Sequence, residues 1–359
     1  MSNVSPVVVV APPPRPTVRR GWLRAERVKG LSLVAVLVAT ILMFNVVVDD
    51  YLSARFVSRL RIAVSITAVL AAGQSLVIIT RNIDLSVGST VGVSAYLTAE
   101  LLADNRGLPA VVAIAVAVAI GAGLGLVNGV LVAVARVPSI IVTLGTLSIF
   151  RSVLTSHAGG QTIATGSLPT WLVDLPRSTV FTIGGYEIRT MFALAAAIVV
   201  LLHLTLQFTR AGRHLYALGS NPDAARQAGL DDRRLKIAAF VACGALAGLA
   251  GFLYVGRFGT INVGAGSGLE LAAIAAAVVG GVSTLGGSGT VMGAFVGAVL
   301  IGVLDQSLVR VEQISEFWRD AILGALILLA VVLDVSVGRR LRESARTDAL
   351  TEVRGGGDG

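Results

Sequence analysis

The sequence has little charge. Only 14% of its 359 residues are Asp, Glu, Lys or Arg, whereas 55% are hydrophobic and the mean hydropathy is +0.83. A soluble domain carries about 25% charged residues, so this chain cannot cover a surface that faces water. Runs of 18 or more residues without charge recur along it, and such runs are typical of membrane-spanning helices. The fold class is therefore predicted as an all-α polytopic membrane protein.

Cysteine, lysine and histidine are scarce as well. The single cysteine, Cys243, lies in an apolar run and excludes a disulfide framework or a thiolate metal site. The three histidines are far apart in the chain, which argues against a metal site or a catalytic triad. Neither lysine, Lys29 or Lys236, follows a G-x-x-x-x-G pattern, so the chain lacks a P-loop for ATP. We expect no catalytic residue, no cofactor and no metal.

Hydropathy predicts about ten spanning helices in two loosely related halves, with both termini cytoplasmic. The net charge of +8 falls mainly in the two tails and in residues 210–236, where it sets topology and does not indicate a nucleic-acid partner. Six and then four predicted helices separate these basic stretches, so all three can be cytoplasmic. The predicted spans are 31–48, 62–80, 84–102, 108–135, 138–155, 191–208, 237–256, 271–286, 290–309 and 318–335.

The regions outside the spans complete the predicted organisation. Residues 1–30 are expected to form a basic, Pro-rich cytoplasmic tail, and residues 339–359 a disordered cytoplasmic tail. The transmembrane domain, 31–338, is expected to contain an external loop at 156–190, with a hairpin at its Gly-Gly pair, and a cytoplasmic loop at 209–236. The first apolar run is long enough to span, and no small-x-small cleavage site follows it, so it is interpreted as a retained helix.

Three polar residues interrupt the apolar stretch LVIITRNIDLSVGSTVG at 76–92: Arg81, Asn82 and Asp84. Two helices fit between Ile62 and Leu102, so this segment is expected to turn at a membrane face, with Asp84 capping the next helix. The alternative is a re-entrant break that holds Asp84 in a polar cavity. The segment also resembles VSTLGGSGTVMG at 282–293, which suggests a second break in the other half.

Glycines recur every four residues in two apolar runs, at Gly121, Gly125 and Gly129 and at Gly244 and Gly248. Residues spaced by four lie on one face of a helix. In lipid, small residues let two helix backbones approach closely. These glycines are therefore predicted to pack helices together.

Five polar residues are candidates for contact with a transported solute: Gln74, Asp84, Ser86, Asn128 and Asp305. The two amides can hydrogen-bond a neutral, hydroxyl-rich solute, or they can cross-link helices. Carboxylates in or near spanning helices are functional candidates, although those near helix ends could also face water. The scarcity of charge inside the spans argues against a strongly ionic substrate.

The cytoplasmic loop contains NPDAARQAGLDDRRLKI at 221–237. Pro222 after Asn221 predicts the start of a short helix, and Gly229 predicts its end. A short charged helix between two spans could be a connector, or it could dock into a groove on a partner.

Here a resemblance becomes specific. DAARQAG at 223–229 resembles the EAA-x-x-x-G coupling signature of bacterial ABC importer permeases. Asp223 takes the place of the glutamate, Ala224 and Ala225 follow it, and Gly229 is the final glycine. The proline that usually follows the signature is missing. IDLSVGS, VPSIIVTLGTLSIFRS at 137–152 and GRHLYALGSNPDAARQAGL at 212–230 resemble segments of the ribose-type sugar permeases, over about residues 31–336. Arg81-Asn82 replaces the Gly-Gly of much of that family and is similar to the rhamnose and autoinducer-2 branch.

The resemblance implies an inner-membrane permease for a monosaccharide or similar small polyol. It also implies a cytoplasmic ABC ATPase that docks at 223–229, a periplasmic sugar-binding protein and a second permease copy or paralogue. Branched-chain amino-acid permeases of the same superfamily are an alternative, although IDLSVGS favours sugars. Two further alternatives are a secondary transporter, which would couple ions through Asp84, Glu270 and Asp305, and a passive channel.

Overall fold

The computed structural model describes residues 19–184 and 186–311 and a few single residues between 318 and 332. Within these residues the chain forms twelve α-helices, one turn of 3-10 helix at Thr165–Ser167 and a two-stranded sheet of β1 (Thr179–Ile183) and β2 (Tyr186–Arg189). The helices are α1 (Arg19–Val47), α2 (Ala54–Ile79), α3 (Val87–Asp104), α4 (Ala110–Ala133), α5 (Ser139–Ala158), α6 (Thr170–Val173), α7 (Thr190–Phe208), α8 (Arg210–Ser220), α9 (Pro222–Gln227), α10 (Asp232–Phe258), α11 (Leu269–Val279) and α12 (Val291–Leu308).

Six of these helices are long and apolar enough to cross a membrane, namely α2, α4, α5, α7, α10 and α12. Helix α2 lies at the centre of the bundle and is almost wholly buried, whereas α4, α5 and α7 expose most of their surface. Many of their exposed side chains are apolar, for example Val111, Ile141, Leu144 and Leu201. Apolar side chains face lipid because hydrocarbon offers polar groups no hydrogen-bond partner.

Helices α4 and α10 pack with their backbones in direct contact. A β-carbon at Gly121 would overlap the carbonyl oxygen of Gly244, and one at Gly125 would overlap that of Phe240. On α10, a β-carbon at Gly248 would overlap the carbonyl oxygen of Ala117. The prediction that these glycines pack helices together is confirmed. We call this contact the α4–α10 seam.

The hairpin predicted at the Gly-Gly pair is confirmed. Strands β1 and β2 pair antiparallel on either side of Gly184, whose φ is +57°. The hairpin precedes α7 and is fastened to α2, because Arg61 donates from Nη1 to the carbonyl oxygen of Glu187 at 2.8 Å. It makes the fold predominantly rather than wholly α-helical. We call this end of the bundle the hairpin end.

Most predicted spans are found within a few residues, but several boundaries differ. Helix α1 begins at Arg19, inside the residues expected to form a tail. Helix α2 begins at Ala54 and not at 62, with Ser53 as its N-cap, and α10 begins at Asp232 and not at 237, with Asp231 as its N-cap. Polar caps thus extend both helices beyond their apolar runs. The tail residues 1–18 and 339–359 and most of the predicted span 318–335 lie outside the described residues.

The loop between α7 and α10 contains two helices where one was predicted. The predicted helix is α9, and its Asn221 cap is confirmed, since Asn221 Oδ1 accepts from the amides of Asp223 and Ala224 at 3.1 Å each. Gly229 follows its end with a φ of +81°, as expected of a terminating glycine. The additional helix, α8, ends at the same Asn221 where α9 begins.

Candidate functional site

Two non-helical segments interrupt the bundle. The first, residues 80–86, joins α2 to α3, and the second, residues 280–290, joins α11 to α12. Helix α11 stops at Val279, seven residues before its predicted end, which makes the second segment long. We call these segments the first break and the second break. The internal similarity seen in the sequence therefore marks two real interruptions.

The expected capping role of Asp84 is wrong. Helix α3 begins at Val87 with Ser86 as its N-cap residue. Asp84 Oδ1 instead accepts from the amide nitrogen of Ser86 at 2.8 Å and from its hydroxyl at 2.6 Å. The carboxylate is fully enclosed, with 2% of its residue surface exposed. Asp84 therefore shapes the break itself, and α3 starts one turn later than predicted.

A buried chain of hydrogen bonds joins the first break to α4 and α5. Asn128 on α4 donates from Nδ2 to the hydroxyl of Ser86 at 2.7 Å, and its Oδ1 accepts from the hydroxyl of Thr146 on α5 at 2.8 Å. All four members, Asp84, Ser86, Asn128 and Thr146, are buried. We call them the polar network. Buried polar groups are retained only when their hydrogen bonds are satisfied, so the network fixes the break to both helices.

Helix α5 holds the same break at a second point. Ser139 Oγ accepts from the amide of Ile83 at 3.2 Å, and Thr143 Oγ1 donates to the carbonyl oxygen of Ile83 at 3.3 Å. Ser139, Thr143 and Thr146 were not predicted as site residues. Their spacing of four and three within the apolar run 137–152 places them on one helix face, which is the signal that could have found them.

The other candidate residues lie apart from the network. Gln74 is fully buried on α2, where its Oε1 lies 3.8 Å from Cys243 Sγ; its Nε2 has no hydrogen-bond partner among the described residues. Asp305 lies near the end of α12, where its Oδ2 accepts from Gln306 Nε2 at 3.1 Å. Glu270 at the start of α11 accepts from the amide of Gly268 at 3.2 Å. The structure thus joins Asp84, Ser86 and Asn128 but not Gln74 or Asp305.

The two breaks meet the end of α8 through backbone contacts. The amide of Gly287 donates to the carbonyl oxygen of Ile79 at 2.9 Å, and a β-carbon at Gly219 would overlap that same oxygen. Tyr216 on α8 donates its hydroxyl to the carbonyl oxygen of Gly289 at 2.8 Å. We call this meeting of α2, α8 and the second break the glycine junction. It places α9, one residue beyond α8, directly beside both breaks.

Arg81 adds a side chain to this junction. Its Nε donates to the carbonyl oxygen of Gly219 at 2.5 Å and its Nη2 to that of Ser220 at 2.8 Å. Its φ is +65°, a left-handed conformation that costs a non-glycine residue about 1–2 kcal/mol. Hydrogen bonds from a charged group are worth about 1.5–3 kcal/mol each, and a cation at a helix C-terminus is favourable. The two bonds offset the backbone strain.

Helix α9 presents most of its surface to solvent. Asp223 and Ala224 are exposed, and the side chain of Arg226, ion-paired with Asp223, is 54% exposed. Ala225 is the exception, because it is buried against its own chain. Of the motif residues, Asp223, Ala224 and Gly229 therefore lie on the open surface and Ala225 does not.

A bundle with six helices, among the described residues, that are long and apolar enough to cross a membrane is typical of a polytopic membrane protein. Residues 56–331 match the family described as "Branched-chain amino acid transport system / permease component", and the chain belongs to this family.

The chain is similar along most of its length to curated permeases. It is 36% identical over 324 residues to the autoinducer 2 import system permease protein LsrC of Enterobacter sp. (strain 638), covering 89% of this chain and 92% of that protein. It is 38% identical over 298 residues to LsrC of Salmonella paratyphi B, covering 83% of each chain. LsrC of Escherichia coli O9:H4 is 36% identical over 304 residues. No solved structure matches the chain significantly.

These similarities establish the class of protein. The chain is a permease subunit of an ATP-binding-cassette import system and a multi-pass protein of the bacterial inner membrane. The resemblance to sugar-type ABC permeases and to their autoinducer-2 branch is thereby confirmed.

Proposed function

We propose that the chain moves autoinducer 2, or a small neutral polyol like ribose or rhamnose, across the inner membrane. The observation that carries this proposal is 36–38% identity to autoinducer 2 import permeases over 83–89% of the chain. The neutral hydroxyl and amide groups of Ser86, Asn128 and Thr146 agree with it. A hydroxyl-rich solute needs hydrogen-bond partners and no counter-charge.

A separate ATPase subunit supplies the energy and docks on α9. Support comes from the sequence, whose two lysines lie outside any P-loop pattern. It also comes from α9 and the residue that follows it, where the exposed Ala224, Gln227 and Ala228 accompany the Asp223–Arg226 ion pair. Short helices of this kind dock into grooves on a partner. Movement of α9 would then be passed to the adjacent breaks.

In this proposal the end of the bundle that carries α8 and α9 faces the cytoplasm. A pocket there is lined by four basic side chains, those of Arg136, Arg226, Arg233 and Lys236, and positive residues stay on the cytoplasmic side. Ten spans in all would place both termini on that side. A periplasmic sugar-binding protein would deliver the solute at the hairpin end, and a second permease copy or paralogue would complete the pathway.

The candidate pathway residues act in two groups. Gln74, Asp84, Ser86 and Asn128 are buried within a single chain, so the solute would reach them only when the first break opens. We propose that the polar network keeps that break closed between transport cycles. Asp305, half-buried near the end of α12, would lie toward the periplasmic side of the route.

Replacing the exposed Ala224 with tryptophan is expected to abolish binding of the ATPase and uptake without unfolding the permease. The bulky side chain would hold α9 out of its groove, and it disturbs no internal packing because Ala224 faces solvent. Ala225→Glu is a poorer choice, since Ala225 is buried. The measurement is co-purification of the ATPase, with uptake in reconstituted vesicles.

The matched control is Ala211→Trp, which places the same side chain on the exposed surface of α8. It should bind the ATPase normally. Undiminished ATPase binding by both variants would rule out α9 as the docking site. ATP-independent uptake by vesicles that contain this chain alone, driven by a proton or sodium gradient, would instead establish a secondary transporter.

Competition experiments would identify the substrate class. Uptake of labelled autoinducer 2 by the complete importer should be reduced by unlabelled ribose or rhamnose and not by leucine. Reduction by leucine alone would favour a branched-chain amino-acid permease, which the printed description of the family names.

A further inference from the structure

Arg81 is the departure from the Gly-Gly pair that the sequence comparison with sugar permeases singled out, and transport as described above does not use it. Its guanidinium reaches from the end of α2 to the last two carbonyl groups of α8, those of Gly219 and Ser220. The next residue, Asn221, is the N-cap of α9. Asp84 of the polar network follows Arg81 by three residues in the chain. Arg81 therefore stands between the exposed helix and the first break.

The contact is specific to the guanidinium. Nε and Nη2 bind two successive carbonyl oxygens, an arrangement that a planar fork of donors provides and that a single ammonium group cannot reproduce. The stem of the side chain also fills space beside the second break, since a β-carbon at Gly286 would overlap Arg81 Cγ. One side chain thus touches α8 and both breaks.

The glycine junction does not depend on Arg81 for its existence. The Gly287–Ile79 and Tyr216–Gly289 bonds join the same elements without it. Since other contacts already hold the junction, the two guanidinium bonds of Arg81 can serve a role beyond assembly, and it is these bonds that distinguish Arg81 from other residues with a left-handed backbone.

We infer that Arg81 is a positioning residue that transmits movement of α9 to the first break, so that ATP-driven displacement of α9 opens the break. The inference rests on the proposed docking of an ATPase on α9. When α9 moves, the Gly219 and Ser220 carbonyl groups move with it and draw the first break along through the guanidinium. Without the guanidinium, α9 can move while Asp84 and Ser86 stay in place.

The test is Arg81→Gly in the complete importer, reconstituted in vesicles with its ATPase and binding protein and supplied with labelled autoinducer 2. Glycine adopts a φ of +65° without strain, so the variant should fold, because relief of the strain offsets part of the loss of the two hydrogen bonds. ATPase binding and ATP hydrolysis should persist. Uptake per ATP hydrolysed should fall about tenfold, within the usual range of coupling between sites. Arg81→Lys, which keeps the charge, should be intermediate.

Arg136→Gly is the matched control. Arg136 is also an arginine with a left-handed φ, +58°, but its side chain makes no hydrogen bond or ion pair that is found among the described residues. It lies on the same end of the bundle. Its replacement should leave uptake per ATP unchanged.

The outcomes separate this inference from the proposed function. Absence of ATP-driven uptake by the unaltered importer, or normal ATPase binding by Ala224→Trp, would count against the proposed function. If the unaltered importer shows ATP-driven uptake and Ala224→Trp loses ATPase binding, but Arg81→Gly has the uptake per ATP of the unaltered chain, the role of Arg81 is refuted. If Arg81→Gly and Arg81→Asn both fail to fold while Arg136→Gly folds, Arg81 is a structural residue and the inference is equally refuted.

Discussion

Gly125→Leu is expected to prevent the permease from folding. A β-carbon there would already overlap the carbonyl oxygen of Phe240, so a leucine must force α4 and α10 apart. Adding methylenes to a packed core costs about 1–3 kcal/mol when neighbouring side chains can shift. Here the obstacle is the backbone of α10, which cannot shift locally, and the neighbouring contacts at Gly121 and Gly129 would be lost with it. The cost should exceed that range.

Gly123→Leu is the matched control for the α4–α10 seam. Gly123 lies two residues away on the exposed surface of α4, and a β-carbon there meets no atom within 4 Å. Surface substitutions of this kind usually change stability by less than about 0.5 kcal/mol. Both variants are compared by yield of monodisperse protein in detergent and by thermal unfolding. Similar behaviour of the two would show that the close packing of α4 on α10 is not required for folding.

The helices of this fold could be predicted because the chain must satisfy its backbone hydrogen bonds inside lipid. Long apolar runs in lipid therefore form helices, and nine of the ten predicted spans correspond to helices in the described residues. Their ends were less predictable. Asp231 and Ser53 start α10 and α2 outside the apolar runs, since a capping side chain depends on local geometry that hydropathy does not measure.

The start and the end of α9 could also be predicted from the sequence. Asn221, Pro222 and Gly229 act within a few residues of one another, so their roles as cap, first helical residue and terminator do not depend on distant contacts. Helix α8 was missed because Arg210–Ser220 is not apolar, although Thr209 caps its start by accepting from the amide of Gly212. Its place is set by the tight approach of Gly219 to Ile79.

The first break shows where sequence reasoning failed. Asp84 was expected to cap α3 because Asp-Leu-Ser before an apolar run resembles a helix start. The carboxylate instead binds Ser86, whose hydroxyl also accepts from Asn128, 42 residues further along the chain, and the sequence around Asp84 does not show this contact. Thr146 was missed for the same reason. Its helical spacing with Ser139 and Thr143 places Thr146 on one face of α5, but no local pattern shows that its partner is Asn128, 18 residues away.

Asn128→Leu is expected to destabilise the permease and abolish uptake. Leucine has a similar size, but it removes the bonds to Ser86 and Thr146. Ser86 keeps its bond to Asp84, whereas the Thr146 hydroxyl keeps only a long bond, 3.4 Å, to the carbonyl oxygen of Thr143. Hydrogen bonds between membrane helices average about 0.6 kcal/mol and reach about 1.7 kcal/mol. Loss of the two bonds, with the Thr146 hydroxyl left weakly bonded, should cost about 2 kcal/mol in unfolding free energy.

The double variant Asn128→Leu/Thr146→Val separates stability from transport. Removing both partners also removes the weakly bonded Thr146 hydroxyl, so part of the lost stability should return, with an interaction energy of about 1 kcal/mol between the two sites. Uptake should stay lost, because the first break is still detached from α4. Ser148→Ala, an exposed position on the same helix, should change neither quantity. Strictly additive stability effects would show that Asn128 and Thr146 act independently, and recovery of uptake in the double variant would show that the break needs no attachment to α4.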